Sequence, residues 1–378
     1  QYLATPEQIY KDYAEAPFYD GIMNFQAVPI NEIIRDNSVK CRVSHKLGKI
    51  FGAGVIPAYN SANLEDFRGL KGYGALWEGA IRDGADWISI IIWNDYNEDS
   101  NLMHFRWPAG SQKAYFDRDG SFLDATAYYS AWFKSGRRPE ISQDKFFITY
   151  RNRSKWLRQT WDGKAEKWLD LTKVSRNANG LPFDQIHDNV EDNIYLDSFL
   201  TAPATLEVRV GGIEKTFQMP AGVGHAELPL VPGVPHLVLK RGNDTLADVI
   251  ARKLIIGEAT KENSPAGYHL LNRTWASGTA IGPAVRIEAE SGELLGGAEL
   301  VKVGDVQAVQ TKAAEGSGVK MPVKGLKTSM YNVRIRYCNP SDTEARLTLV
   351  ADGPPRGEKE YPYFIPAFLP PTWKDRFD

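Results

Sequence analysis

The run Asp86-Trp87-Ile88-Ser89-Ile90-Ile91-Ile92-Trp93-Asn94-Asp95-Tyr96-Asn97-Glu98-Asp99 constrains the fold more than any other stretch of the chain. Its first half is rich in β-branched residues with no polar alternation, which predicts a parallel strand covered by helices on both faces. Its second half gathers acids and amides where that strand ends. In parallel α/β folds the loops at the carboxyl ends of strands vary while the strands hold their roots, so catalytic groups collect there. Asp95 and Glu98 bring two carboxylates to one such root, with Trp93, Asn94 and Tyr96 beside them. Two carboxylates are the minimal equipment for acid–base hydrolysis of a glycosidic bond, and flat aromatic rings suit sugar faces. Acids at such a position also serve as helix caps and loop solvation, and pattern alone leaves both roles open.

Two further apolar runs precede this one. Asp20-Gly21-Ile22-Met23-Asn24-Phe25-Gln26 and Lys49-Ile50-Phe51-Gly52-Ala53-Gly54-Val55-Ile56-Pro57-Ala58-Tyr59 each end in polar or aromatic residues, and a helix is expected between them. With the Trp93 strand they form β-α repeats at a spacing of about 35 residues, the rhythm of a (β/α)8 barrel. Three repeats do not close a barrel. The other five are expected on a preceding segment or on a second chain, because three parallel strands alone leave an open edge and a half-covered core. Phe25, Tyr59 and Trp93 then mark the three strand ends, and a helix over 121–134 completes this layer.

The segment Trp93-Asn94-Asp95-Tyr96-x-Glu98 resembles the signature at the last barrel strand of family 71 glycoside hydrolases, the α-1,3-glucanases or mutanases. Leu76-Trp77-Glu78-Gly79-Ala80 upstream and Tyr150-Arg151 downstream keep the family's order, and the resemblance covers about residues 18–258. It implies that Asp95 and Glu98 are the catalytic pair, that the reaction inverts the anomeric centre, and that Trp93, Asn94, Tyr96, Tyr59, Phe25 and Trp77 contact an α-glucan. After Glu98 the chain reads Asp99-Ser100-Asn101-Leu102, where the family usually continues Ser-His-Tyr. A glycan-binding or matrix-structural protein built on a glycosidase-like barrel is the competing reading. Further acids and aromatics on the same face would favour the enzyme.

The remaining chain changes period. From Lys145 short alternating strands separated by Gly, Pro and Asn turns predict an antiparallel β-sandwich over 141–256. The polar excursion over 152–192 is long for such a fold and carries Trp156, Trp161 and Trp168. A Gly-, Ser-, Asn- and Pro-rich linker is expected over 257–284, with Tyr268-His269-Leu270-Leu271 inside it suggesting partial packing. From Val285 the motif Arg286-Ile287-Glu288-Ala289-Glu290, followed by Gly316-Ser317-Gly318-Val319, resembles carbohydrate-binding modules of family 35 or 6. That resemblance implies a second, incomplete β-sandwich over 285–378 in which Glu288 and Glu290 either ligate a structural calcium or are plain acids on a strand surface. The predicted architecture is therefore multidomain: the C-terminal three βα units of a (β/α)8 barrel over 1–140, a β-sandwich, a linker and a carbohydrate-binding-module-like sandwich.

Composition narrows the partners. Forty-five basic against 47 acidic residues, with no basic stripe, argue against nucleic acid. No apolar run is long enough for a membrane helix. A neutral polysaccharide fits, and with it a secreted or cell-surface location; the chain starts at Gln1 without Met, so its true N-terminus is expected upstream. Catalysis by two carboxylates needs no cofactor. Cys41 and Cys338 lie far apart in sequence, so a disulfide is not expected.

Overall fold

The computed structural model describes residues 8, 10–11, 15–60, 64–65, 67–95, 98–103, 105–106, 117–118, 120–162, 165–170, 190–251, 254–261, 270–276, 287–303, 305–312, 316–322, 335, 337–338, 345–351 and 363–369. The chain divides into two compact units, Gln1–Ser277 with Arg346–Pro370, and Gly278–Ala345 with Pro371–Asp378. Strands outnumber helices, and no helix among the described residues is long and apolar enough to cross a membrane.

The first unit opens with three parallel strands, β1 (Gly21–Met23), β2 (Ile50–Val55) and β5 (Trp87–Ile90), in the order β1-β2-β5. Helix α1 (Ile30–Lys46) crosses from β1 to β2, and α2 (Gly69–Arg82) from β2 to β5. Helix α1 buries Ile30, Ile33, Asn37, Cys41 and Ser44, the stripe that a 3.6-residue period turns inward. Glu32 in its first turn and His45 and Lys46 in its last complement the helix dipole. The carboxyl end of β2 carries a small hairpin of β3 (Tyr59–Asn60) and β4 (Leu64–Glu65). A second short pair, β6 (Phe105–Arg106) and β7 (Asp117–Arg118), leads to α3 (Ser121–Ser135).

Strand β2 matches the covered-strand expectation, since residues 51–55 are all buried. Strand β5 does not. Trp87 is 66% exposed and Ile88, Ser89 and Ile90 are half-buried. Among the described residues β5 pairs with β2 alone, so one flank of the strand lacks cover.

Helices α2 and α3 pack through aromatics. The rings of Tyr73 and Phe122 meet edge-on at 5.5 Å, and Trp77 stacks on Tyr129 at 6.2 Å. Gly74 makes that approach possible, because a Cβ there would lie 2.2 Å from the Tyr129 hydroxyl. This core also takes Val55, Ile91 and Leu102 from the strand ends, and Phe147 and Phe199 from the sheet described next.

The rest of the unit is two four-stranded antiparallel sheets. One has the order β14 (Gly222–Pro229), β11 (Asn193–Leu200), β8 (Lys145–Arg151) and β17 (Leu270–Ala276). The other runs β13 (Ile213–Met219), β12 (Ala204–Val210), β15 (His236–Arg241) and β16 (Asp244–Ile250). They share one apolar core, with Phe146, Ile148, Tyr150 and Leu196 facing Leu206, Val208, Leu237 and Leu239. Strand β8 is buried on both faces: Phe146, Ile148 and Tyr150 enter this core while Phe147 enters the helical one. Strand β17 falls in the stretch read as a linker, yet it pairs with β8 from Leu270↔Arg151 to Ala276↔Lys145. Its sequence, Leu-Leu-Asn-Arg-Thr-Trp-Ala, is strand-like, and the polar neighbours masked it. The 152–192 excursion contains a hairpin, β9 (Gln159–Asp162) and β10 (Lys167–Asp170), whose Trp161 and Trp168 rings lie 5.4 Å apart. Residues 171–189 lie outside the described residues, as do most of 1–14.

In the second unit, β18 (Glu293–Leu295) pairs with β21 (Gly318–Lys320), and β19 (Glu299–Val303) with β20 (Val306–Gln310), all antiparallel. Glu288 and Glu290 sit at a 3-10 turn, Ala289–Ser291, in place of the expected strand surface. Strands β22 (Ala345–Ala351) and β23 (Tyr363–Leu369) pair with one another and, apart from Ala345, belong to the first unit, although they fall in the stretch 285–378 expected to form one separate sandwich.

Candidate active site

The three parallel strands deliver their carboxyl ends side by side, and each end is fixed by polar bonds. After β1, the Asn24 main-chain N–H donates to Gly52 O at 2.8 Å. Its side-chain amide donates to Asn37 Oδ1 at 2.7 Å and to Gln26 Oε1 at 3.0 Å, and Lys40 Nζ donates to Asn24 Oδ1 at 2.6 Å. Gln26 passes the network on to Asp36 at 2.9 Å. Asn37 Nδ2 donates to Gly54 O at 3.0 Å, so helix α1 grips the ends of both β1 and β2. Burial pushes the Lys40 ammonium below its ordinary pKa, and Asp36 offsets part of that shift. Phe25, between the two tethered amides, is 64% exposed.

After β5 the chain makes a closed loop. Leu102 N–H donates to Ile92 O at 3.1 Å, Ile92 N–H to Ser100 O at 3.1 Å, and Met103 N–H to Trp93 O at 3.0 Å. Ile91 and Leu102 anchor this neck in the helical core, each 4% exposed. Residues 93–95 and 98–101 therefore stand on this root, and Asp95 and Glu98 are among them, each half-buried. Ser100 Oγ donates to the Asp95 carbonyl at 3.5 Å. The Glu98 carbonyl accepts the Asn60 main-chain N–H at 2.8 Å, and the Asp99 carboxylate accepts Asn60 Nδ2 at 2.8 Å. Hairpin β3–β4 thus braces the loop from the side. Arg151, 3% exposed on β8, donates Nη2 to the Glu65 carbonyl at 3.1 Å and ties that hairpin to the sheet behind it.

The structure sorts the residues named from sequence. Asp95 and Glu98 share the β5 loop, with Trp93 53% exposed and Asn94 exposed beside them. Tyr59 is half-buried at the end of β2, opposite Glu65. Tyr96 lies outside the described residues. Trp77 does not belong with them. It is 1% exposed in the helical core between Tyr73 and Tyr129, because its place on α2, four residues after Tyr73, turns both rings to the same buried side. Asn60, Asp99 and Arg151, by contrast, escaped sequence reasoning, since their partners are 39 to 86 residues away.

The sequence profile of glycosyl hydrolase family 71 matches residues 5–271. The chain belongs to glycosyl hydrolase family 71. The matched stretch runs from the parallel strands to the first two residues of β17, and it includes the β5 loop and every other strand of the two antiparallel sheets. The chain is 23% identical over 239 residues to the glucan endo-1,3-alpha-glucosidase agn1 of Schizosaccharomyces pombe, a match that spans 60% of this chain and 52% of the relative. It is also 26% identical over 183 residues to the mutanase Pc12g07500 of Penicillium rubens, across 45% of this chain and 36% of that protein. The family 71 chain described here therefore spans about half the length of the first relative and about a third of the second.

Proposed function

We propose that the protein hydrolyses α-glucan, most specifically α-1,3-glucan, with Asp95 and Glu98 as its acid–base pair. The observation that carries this reading is the placement of both carboxylates on one braced loop at the carboxyl end of a parallel strand, within the stretch matched by family 71. The names of the two relatives support the substrate.

Glu98 protonates the glycosidic oxygen as the bond to the anomeric carbon breaks. Asp95 takes a proton from the water that attacks that carbon from the opposite face, and the configuration inverts. Such a pair needs carboxyl groups about 6.5–9.5 Å apart, so that the water fits between base and sugar. The exposed rings of Trp93 and Phe25 offer apolar faces to the sugars on either side.

The three parallel strands are read as the last βα units of a (β/α)8 barrel, and the two antiparallel sheets as a β-sandwich behind it. The stretch 285–378 is read as a carbohydrate-binding module, of which residues 346–370 group with the first unit. For calcium, Glu288 and Glu290 offer two carboxylates at one 3-10 turn. No group of three or more Asp, Glu, His or Cys side chains gathers among the described residues, whereas Ca²⁺ takes about six to eight oxygens. Calcium there would draw further oxygens from main-chain carbonyls, amides or water beside these two carboxylates, and no step depends on it. A polymeric glucan substrate fits a secreted or cell-surface protein.

The test is incubation of the intact protein with α-1,3-glucan, α-1,4-glucan and β-1,3-glucan, with the first-formed product followed by proton NMR. Release of the β-anomer from α-1,3-glucan alone is expected. Equal action on all three, or the α-anomer first, would contradict the substrate or the inversion respectively.

A further inference from the structure

We propose that Asn60 and Asp99 form a positioning latch that sets the main chain of Glu98, a role that rests on the assignment of Glu98 as a catalytic carboxylate. Asn60 grips this segment twice, through its main-chain N–H to Glu98 O and its side-chain amide to Asp99 Oδ2, both at 2.8 Å. Asn60 is 2% exposed and Asp99 is fully buried, so the second bond is made out of water. Removing one partner of such a bond leaves a buried polar group without its match, which is costlier than losing a surface contact.

Asp99 also turns the chain. Its φ of 57° lies in the left-handed region, which Asp and Asn tolerate and β-branched residues do not. The reversal directly after Glu98 sends Ser100 and Leu102 back to pair with Ile92. Glu98 is thereby held between two fixed points, the strand root at Ile92 and the hairpin at Asn60. The hairpin is itself fixed, through Asn60↔Leu64 pairing and through Arg151 Nη2 on the Glu65 carbonyl. A proton donor must sit within a fraction of an ångström of its target, and a shift of about 1 Å can cost on the order of 100-fold in rate.

The latch joins one amide to one carboxylate, so it can be broken and remade by exchange. Asn60→Asp sets two buried carboxylates against each other, and their repulsion displaces the loop at any pH above the raised pKa of the pair, so kcat is followed as a function of pH to separate repulsion from a shared proton. Asn60→Asp combined with Asp99→Asn restores one amide and one carboxylate with their places exchanged. In the intact protein assayed on α-1,3-glucan oligosaccharides, the single variant is expected to lose about 10- to 100-fold in kcat with KM changed less than about 2-fold, and the exchanged pair to recover most of it. Thermal melts of both variants separate this from loss of the fold. Glu98→Gln is the control. If it is inactive while Asn60→Asp keeps parental kcat, or if the exchanged pair is no better than the single variant, the latch is overturned. If Glu98→Gln itself keeps parental kcat, the assignment of Glu98 falls and the latch falls with it.

Discussion

The Asp197 carboxylate on β11 accepts the main-chain N–H of Leu70 at 2.9 Å, joining the start of helix α2 to the antiparallel sheet across 127 residues of sequence. His225 Nδ1 on the neighbouring β14 lies 2.6 Å from its other oxygen. Gly69, at φ +62°, lets the two elements close, since a Cβ there would sit 2.9 Å from both Asp197 Oδ2 and Tyr195 Cβ. This carboxylate serves as the cap that α2 lacks in its own sequence. Burial pushes its pKa up, against the pull of His225 and the helix amides.

Asp197→Ala removes the cap and leaves buried donors unmatched. A loss of about 2–4 kcal/mol is expected, well above an ordinary surface substitution. Urea titration measures it. A loss under about 0.5 kcal/mol would mean that the sheet and the helix do not depend on this bond.

Acid stability should trace to Asp144. Burial alone would raise its carboxyl, but hydrogen bonds from Arg241 and from the Thr201 amide and hydroxyl outweigh it and hold the pKa at about 2. A depressed carboxylate contributes stability that is complete above its unfolded value, 3.8, and is lost as pH falls through about 2. Asp144→Asn should therefore cost about 2 kcal/mol at neutral pH, and its stability curve should meet that of the parent near the acid limit. Parallel curves at every pH would exclude this origin.

The two thiols should differ. Cys41 is 1% exposed, donates to Asp83 O at 3.2 Å, and is pushed to about 11 by burial with help from Asp86 and Asp83. Thiolate is the reactive form. At pH 8 an alkylating reagent should leave Cys41 unmodified in the folded protein and label it after denaturation, as read by peptide mass spectrometry. Rapid native labelling would contradict its burial.

Trp77 and Trp93 should separate stability from substrate contact. Trp77→Ala empties the core between Tyr73 and Tyr129 and should cost about 3–5 kcal/mol. Trp93→Ala, at a 53% exposed ring, should leave the melting temperature within a few degrees and raise KM for the glucan. The reverse pattern would overturn both placements.

These residues also show what sequence could and could not reveal. Strand β2 is readable because five successive buried positions leave no polar gap, and the position of Asp95 and Glu98 after a strand is readable because an Ile-rich run precedes them. The substrate contact that the resemblance implies for Trp77 fails because the segment Leu76-Trp77-Glu78-Gly79-Ala80 lies on α2, whose glycines and aromatics mark close helix packing. Strand β17 hid inside Gly, Ser and Pro neighbours, since its place depends on pairing with β8, a long-range choice. The structural roles of Asn60, Arg151 and Asp197 carry no local signature, although Tyr150-Arg151 keeps the family's order. Each is defined by a partner on another element, and no local pattern encodes such a partner.

The most direct test of the account is the rate of α-1,3-glucan hydrolysis by Asp95→Asn and Glu98→Gln, each checked for a parental melting temperature. Removing either acid–base group should lower kcat by about 10²- to 10⁴-fold. A near-parental rate in either folded variant would contradict the pair on the β5 loop as the catalytic carboxylates.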